Sequence, residues 1–202
     1  MKHFIFDMGG VLIKSIPHKF VKDEDSYVKC KTPEEEKSFM NTFIEFEQGI
    51  IDVNDFVKLH SQSFNKKGLT AKEYEQCYYD IGKKYGGVFP NTYQLLSRLK
   101  DEGNKVYLLS NLHEISFKDF SNMFDTSIFE ELFLSYKIHM VKPNKDIYKY
   151  VINKIGDDPN NMYFFDDKQE NVDAAIDCGI NAFKTTGDIL EKNIKLAKEN
   201  IY

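Results

Sequence analysis

A short apolar run that ends in an acidic, glycine-rich turn, HFIFDMGGVL at residues 3–12, constrains this chain more than any other feature. Phe4, Ile5 and Phe6 are apolar at consecutive positions, the pattern of a strand buried on both faces of a parallel sheet. Asp7 therefore falls at the carboxyl end of that strand, and Gly9 and Gly10 let backbone approach a ligand closely. Open α/β sheets hold their ligands at that end. Taken alone, the segment also reads as a tight turn with a capping carboxylate.

Three later segments repeat the arrangement. KVYLLSN ends in Ser110 and Asn111, ELFLSYKIHMVKP carries Lys142 before Pro143, and MYFFDD ends in Asp166 and Asp167. A carboxylate able to attack phosphorus, a hydroxyl with neighbouring amides, a lysine and an acidic pair together form a set for moving a phosphoryl group with a divalent cation. The adjacent carboxylates of Asp166 and Asp167 repel each other unless a cation or lysine lies between them, so Mg2+ is the expected cofactor.

In content and order these segments resemble the four motifs of the haloacid dehalogenase superfamily of hydrolases, over essentially the whole chain. FDMGGVL, the Ser110-Asn111 pair, KPNKDIY and FFDDKQEN are most similar to the bacterial glucose-1-phosphate phosphatase subgroup. The resemblance implies that Asp7 is the nucleophile and forms an aspartyl-phosphate. It implies that Ser110, Asn111 and the Gly10 amide hold the phosphoryl oxygens, and that Lys142 offsets charge on the phosphoryl group and the nucleophile. Asp7, the Gly9 carbonyl and Asp167 would bind the cation, with Asp166 a nearby partner and Asn171 supporting that shell or capping the next helix. Most phosphatases of the superfamily carry a second Asp two residues after the nucleophile as general acid and base, and here that position is Gly9, as in the subgroup. The proton donor is thus unassigned. His18 and His113 have a suitable pKa range for it. Lys14 and His18 follow the first strand in the region that would hinge a cap, and FEQG at residues 46–49 resembles the subgroup's acidic cap turn, making Glu47 a candidate sugar contact. The Phe39 and Phe43 stripe reads as core of the cap.

Helix signals fill the interval between the first strand and the second. Thr32-Pro33-Glu34-Glu35 and Thr70-Ala71-Lys72-Glu73 are capping boxes, and Asp52 begins a third, weaker start. Residues 15–88 are therefore expected to form an inserted helical-bundle cap, and residues 1–14 and 89–202 the core domain. From Asn91 onward helix and strand alternate, with strands ending near Ser110, over Leu132 to Tyr136, near Phe165 and over Asn181 to Thr185. The expected fold class is α/β, a doubly wound parallel sheet with an inserted cap.

The chain has 202 residues, 42% hydrophobic and 29% charged, and a net charge of -5 that argues against a dedicated nucleic-acid surface. Three cysteines without C-x-x-C spacing point to neither a disulfide framework nor a zinc site and fit a reducing cytoplasm. No stretch reads as a signal peptide or membrane span. Monomer and homodimer are equally open. The expectation is a Mg2+-dependent phosphatase of a small phosphorylated metabolite, with a sugar phosphate the leading class. Lacking an acid at Gly9, such an enzyme should favour leaving groups that need little protonation, such as an anomeric oxygen. The alternatives are a metal-independent 2-haloacid dehalogenase-like hydrolase and a phosphate-binding regulatory protein with little turnover.

Overall fold

Five strands form one parallel sheet in the computed structural model, which describes residues 1–15, 28, 30–61, 63 and 68–200. They are β1 (His3–Phe6), β2 (Lys105–Ser110), β3 (Glu131–Leu134), β4 (Met162–Asp166) and β5 (Asn181–Lys184), in the spatial order β3-β2-β1-β4-β5. Every pairing is parallel, and β1 lies between β2 and β4. All five carboxyl ends therefore lie along one edge. The chain leaves β1 for β2 on one side and reaches β4 on the other, and the crevice opens at such a switch point.

Alternation along the strands divides the core into two faces. Phe4, Phe6, Val106, Leu108 and Phe165 pack with Leu96 and Leu99 of α4 (Thr92–Asp101), Phe120 of α5 (Glu114–Met123) and Ile194 of α9 (Leu190–Lys198). Ile5, Tyr107, Leu109 and Phe164 pack on the other face with Ile147 and Val151 of α7 (Lys145–Ile155) and Ala175 of α8 (Gln169–Ile176). Phe4, Phe6 and Phe165 are fully buried, each contributing about 2–3 kcal/mol by removal from water. This is the doubly wound α/β fold, the sheet covered by helices on both faces.

Between β1 and α4 lie α1 (Pro33–Glu47), α2 (Val53–Leu59) and α3 (Ala71–Tyr85). They pack around an apolar cluster of their own, Phe39, Phe46, Phe56, Val57, Tyr74 and Cys77 among its members, which Ile115 joins from α5. Their starts follow the sequence signals. Thr70 and Glu73 form the full reciprocal box, with Thr70 N–H donating to Glu73 Oε2 and Glu73 N–H to Thr70 Oγ1. At α1 only half of a box forms, because Glu35 accepts from Lys31 N–H while Thr32 caps Glu35 N–H. Asp52 accepts from Asn54 and Asp55 N–H.

One strand is shorter than its apolar pattern predicts. β3 ends at Leu134, and Ser135 and Tyr136 enter a single helical turn, α6 (Ser135–Ile138), that closes on left-handed His139. Ser135 Oγ takes Leu112 N–H and donates to Glu47 O, and these tertiary bonds outweigh strand propensity. No helix among the described residues is long and apolar enough to cross a membrane.

Candidate active site

β1 and β2 end side by side, which brings Asp7 against Ser110. Ser110 Oγ donates to Asp7 Oδ1 at 2.8 Å, and Lys142 Nζ reaches the same oxygen at 2.8 Å. Asp7 Oδ2 has no hydrogen-bond partner among the described residues. One oxygen is thus anchored and the other left available for attack. Lys142 is 4% exposed and also donates to Asp166 Oδ2 at 2.6 Å and Leu109 O at 3.0 Å. Burial pushes its ammonium down, but Asp166 and Asp7 outweigh that and hold it above its ordinary value. Asp7 is raised to about 6, chiefly by burial, with Lys142 opposing and Asp166 reinforcing the rise.

Asp166 is fully buried and has both oxygens engaged. Oδ2 meets Lys142, and Oδ1 accepts from Lys168 N–H and Asn171 Nδ2, each at 2.9 Å. Asp167, half-buried, instead faces the cavity. Ligand oxygens of Asp7, Asp166 and Asp167 lie within 4.8 Å of one another. Three carboxylates against one buried ammonium leave an excess of negative charge that Lys168, exposed beside them, offsets only in part. A divalent cation fits that excess, and oxygen donors suit Mg2+.

The turn after β1 shapes this cluster in a way its glycines only partly foretold. Gly10 N–H donates to Ile13 O at 2.7 Å, so it is taken up inside the turn rather than presented to a phosphoryl oxygen. What Gly10 contributes is the lack of a side chain: its φ is +79°, and a Cβ there would stand 2.5 Å from Asp167 Oδ2. Gly9 lines the cavity, and its carbonyl accepts no hydrogen bond among the described residues. A Cβ on Gly9 would make ordinary contact with Ser15 Oγ at 3.5 Å. The Asn111 side chain differs from expectation too. Its Nδ2 donates to Lys142 O and its Oδ1 accepts from Lys142 N–H, both at 2.8 Å, which fixes the backbone that presents Lys142. Only its main chain remains for a phosphoryl oxygen.

Above the cluster is a cavity of about 500 Å3 bounded by the strand ends below and the inserted helices above. Glu47, at the end of α1, lines it together with Lys14, Ser15, Phe43 and Tyr78. Glu47 is half-buried, yet its carboxyl sits deep enough that burial raises it to about 7, with Lys168 and Lys142 opposing and Asp7 adding to the rise. Phe39 is core, as its spacing indicates, but its edge and Phe43 reach the cavity as well. Lys14 is exposed at the rim. His18 lies outside the described residues.

His113 does not face the cavity. Its ring is buried, stacks on Phe46 with centroids 4.4 Å apart, and accepts Ser116 N–H at Nδ1 as the cap of α5. Burial lowers its pKa to about 3, so it stays neutral and is a poor proton donor. Its polar character in the sequence disguised an interface residue. Ser15, Tyr78 and Lys168 are cavity residues that sequence reasoning did not single out. Only Lys168, adjacent to the acidic pair, carried a positional signal.

The chain belongs to the haloacid dehalogenase-like hydrolases, whose family model matches residues 1–179. It is similar to the sesquiterpene phosphatase astK of Aspergillus oryzae, 28% identical over 195 residues that cover 93% of this chain and 91% of that protein. Among solved structures it resembles a haloacid dehalogenase family enzyme from Bacteroides thetaiotaomicron in its magnesium complex, at a TM-score of 0.77 and 25% identity over 93% of this chain and 94% of that one. The wild-type form of that enzyme with magnesium and inorganic phosphate matches at a TM-score of 0.71 and 26% identity, over 93% of this chain and 95% of that one.

Proposed function

We propose that this protein is a Mg2+-dependent phosphatase that cleaves a small phosphorylated compound through an aspartyl-phosphate on Asp7. The observation that carries the reading is the state of the Asp7 carboxylate, anchored at Oδ1 by Ser110 and Lys142 and unpartnered at Oδ2, on the floor of a cavity it shares with Asp167. Asp7 Oδ2 attacks phosphorus, and water later releases phosphate from the acyl-phosphate. Ser110 Oγ and the main chain at Asn111 hold the phosphoryl oxygens, and Lys142 balances their charge. Asp7, Asp167 and the Gly9 carbonyl would hold Mg2+, with Asp166 behind them. The ion would supply charge neutralisation at the transferring group. The phosphatase relative and the neighbour crystallised with magnesium and phosphate support this assignment. The inserted helices, residues 15–88, act as the cap over a core of residues 1–14 and 89–202.

Two substrate readings meet in the cavity. A sugar phosphate would use the polar groups at Lys14, Ser15 and Glu47. A phosphate with an apolar body would use Ile13, Met40 and Phe43, which face the same space, and similarity to a sesquiterpene phosphatase favours it. The experiment is phosphate release from glucose 1-phosphate, farnesyl phosphate and an aryl phosphate, each with Mg2+ and with chelator. Mg2+-dependent release is the expected result. Undiminished release in chelator would favour a dehalogenase-like, metal-free site. Absence of release from all three would favour a binding protein.

A further inference from the structure

The Glu47 carboxyl lines the cavity that holds the nucleophile, carried on a docked turn, and yet is committed to nothing. Among the described residues it makes no hydrogen bond and no ion pair, although it lines the cavity that contains Asp7. Its backbone is fixed by the core. Ser135 Oγ donates to Glu47 O at 2.6 Å and takes Leu112 N–H at 2.8 Å, tying the end of α1 to the strand-end loops of the core. The next residues continue the attachment: Gln48 Nε2 donates to His139 O at 2.8 Å, and the His139 ring reaches Gln48 O at 3.0 Å. Gly49 has φ +68° and lies so close to Tyr136 O that a Cβ would collide with it. A flexible sugar-contacting residue would not need such fixing. A group that must meet one oxygen of the substrate would.

The chain also lacks the carboxyl expected two residues after the nucleophile, where Gly9 stands. We propose that Glu47 is the general acid and base of this site, delivering from the inserted helices the proton that Gly9 cannot. This rests on the phosphatase reading above. In the first step Asp7 Oδ2 forms a bond to phosphorus and the bond from phosphorus to the leaving oxygen breaks. The leaving oxygen keeps that electron pair and takes the proton of the Glu47 carboxyl, which becomes a carboxylate. In the second step water attacks phosphorus and passes a proton to Glu47, the bond to Asp7 breaks with its electron pair returning to the carboxylate, and inorganic phosphate leaves. Asp7 and Glu47 end as they began. The groups facing Glu47 are Lys168, Lys142 and Asp7 from the core and Tyr74 and Tyr78 from α3. Burial among them raises Glu47 to about 7, so a protonated fraction is present at neutral pH.

The test is the leaving-group dependence of kcat/KM at saturating Mg2+, for an alkyl phosphate and an aryl phosphate with an acidic phenol, in wild type, Glu47→Gln, and Glu47→Gln combined with Gly9→Asp. Glu47→Gln should lose about a hundredfold on the alkyl ester and only a few fold on the aryl ester. It should also lose the high-pH decline of kcat/KM on the alkyl ester. The added Gly9→Asp, whose Cβ would make only ordinary contact with Ser15, should restore the alkyl ester selectively. Equal losses on both esters would make Glu47 a binding contact and overturn the proposal, as would no loss on either. Glu47→Asp, which withdraws the carboxyl by one methylene, gives a second reading of the same ratio should Glu47→Gln not fold. Wild type without Mg2+-dependent turnover would overturn the phosphatase reading itself, whereas an active wild type with an unchanged ratio would overturn only the role of Glu47.

Discussion

Gly10 and Asp167 occupy space that only a glycine lets them share, since a Cβ on Gly10 would stand 2.5 Å from Asp167 Oδ2. The same position has φ +79°, which an alanine adopts only under strain. Gly10→Ala should therefore displace the carboxylate that faces the cavity and weaken Mg2+ binding by an order of magnitude or more, with a cost to stability of roughly 1–3 kcal/mol. Titration of Mg2+ against activity, beside thermal unfolding without the ion, separates the two effects. Unaltered Mg2+ dependence would show that Asp167 is not a ligand.

Asp7→Asn tests the nucleophile. The amide is nearly equal in volume and can still accept from Ser110 and Lys142, so the circular dichroism spectrum should match wild type. Turnover should fall to background because an amide does not form the acyl-phosphate. Ordinary turnover by a folded Asp7→Asn variant would exclude the covalent route.

Glu47 also has a stability signature that needs no substrate. A carboxyl whose folded pKa is raised binds its proton more tightly in the folded state, so its destabilisation is absent below the unfolded value near 4.5, grows as pH rises, and is complete above about 7. Glu47→Gln should accordingly match wild type near pH 4 and exceed it at pH 8, by about 2 kcal/mol after allowance for solvent reaching the cavity. Denaturant unfolding of both proteins in chelator, at the two pH values, measures the difference. A variant less stable than wild type at pH 8 would mean that the ionised carboxylate has a favourable partner.

The sheet and the ends of its strands were legible because the information is local. Three apolar runs finish at or beside a polar residue at a strand end, Asp7, Ser110 and the Asp166-Asp167 pair, and a parallel strand places its last residue at one edge whatever the rest of the chain does. Asp7, Ser110 and Asp167 meet there for that reason, whereas Lys142 lies eight residues beyond the end of β3 and is held by the Asn111 side chain. Roles that depend on contacts between distant segments were not legible. The inward bond of the Gly10 amide, the pairing of Asn111 with the Lys142 backbone and the packing of His113 on Phe46 all follow from tertiary geometry without a sequence signature. Ser135 is the clearest case: within a strand-like run it leaves the strand and docks the turn that carries Glu47. The acidity of that turn could be read and made Glu47 a candidate substrate contact, but the bond from Ser135 Oγ that fixes its backbone has no sequence signature.

Lys142 is both part of the proposed chemistry and, among the described residues, the only cation that contacts two buried carboxylates, so its removal should separate structure from catalysis. Its Nζ lies 2.8 Å from Asp7 Oδ1 and 2.6 Å from Asp166 Oδ2. Lys142→Ala leaves both acids without a countercharge, a loss of about 3–5 kcal/mol where the carboxylates remain ionised. The loss should shrink toward pH 5. Asp7 is already raised to about 6 with the lysine present, and without it the acid protonates at still higher pH, so the penalty is absent at low pH and grows as pH rises. Mg2+ should recover part of the stability at pH 8 by supplying positive charge to the same cluster, while turnover stays low because nothing balances the phosphoryl group from the side of Ser110. Thermal unfolding of Lys142→Ala at pH 5 and pH 8, with and without Mg2+, reads the stability changes, and kcat/KM at pH 8 reads the turnover. A variant as stable as wild type at pH 8 in chelator would show that water, not Lys142, solvates Asp7 and Asp166, and equal kcat/KM would remove the lysine from the site.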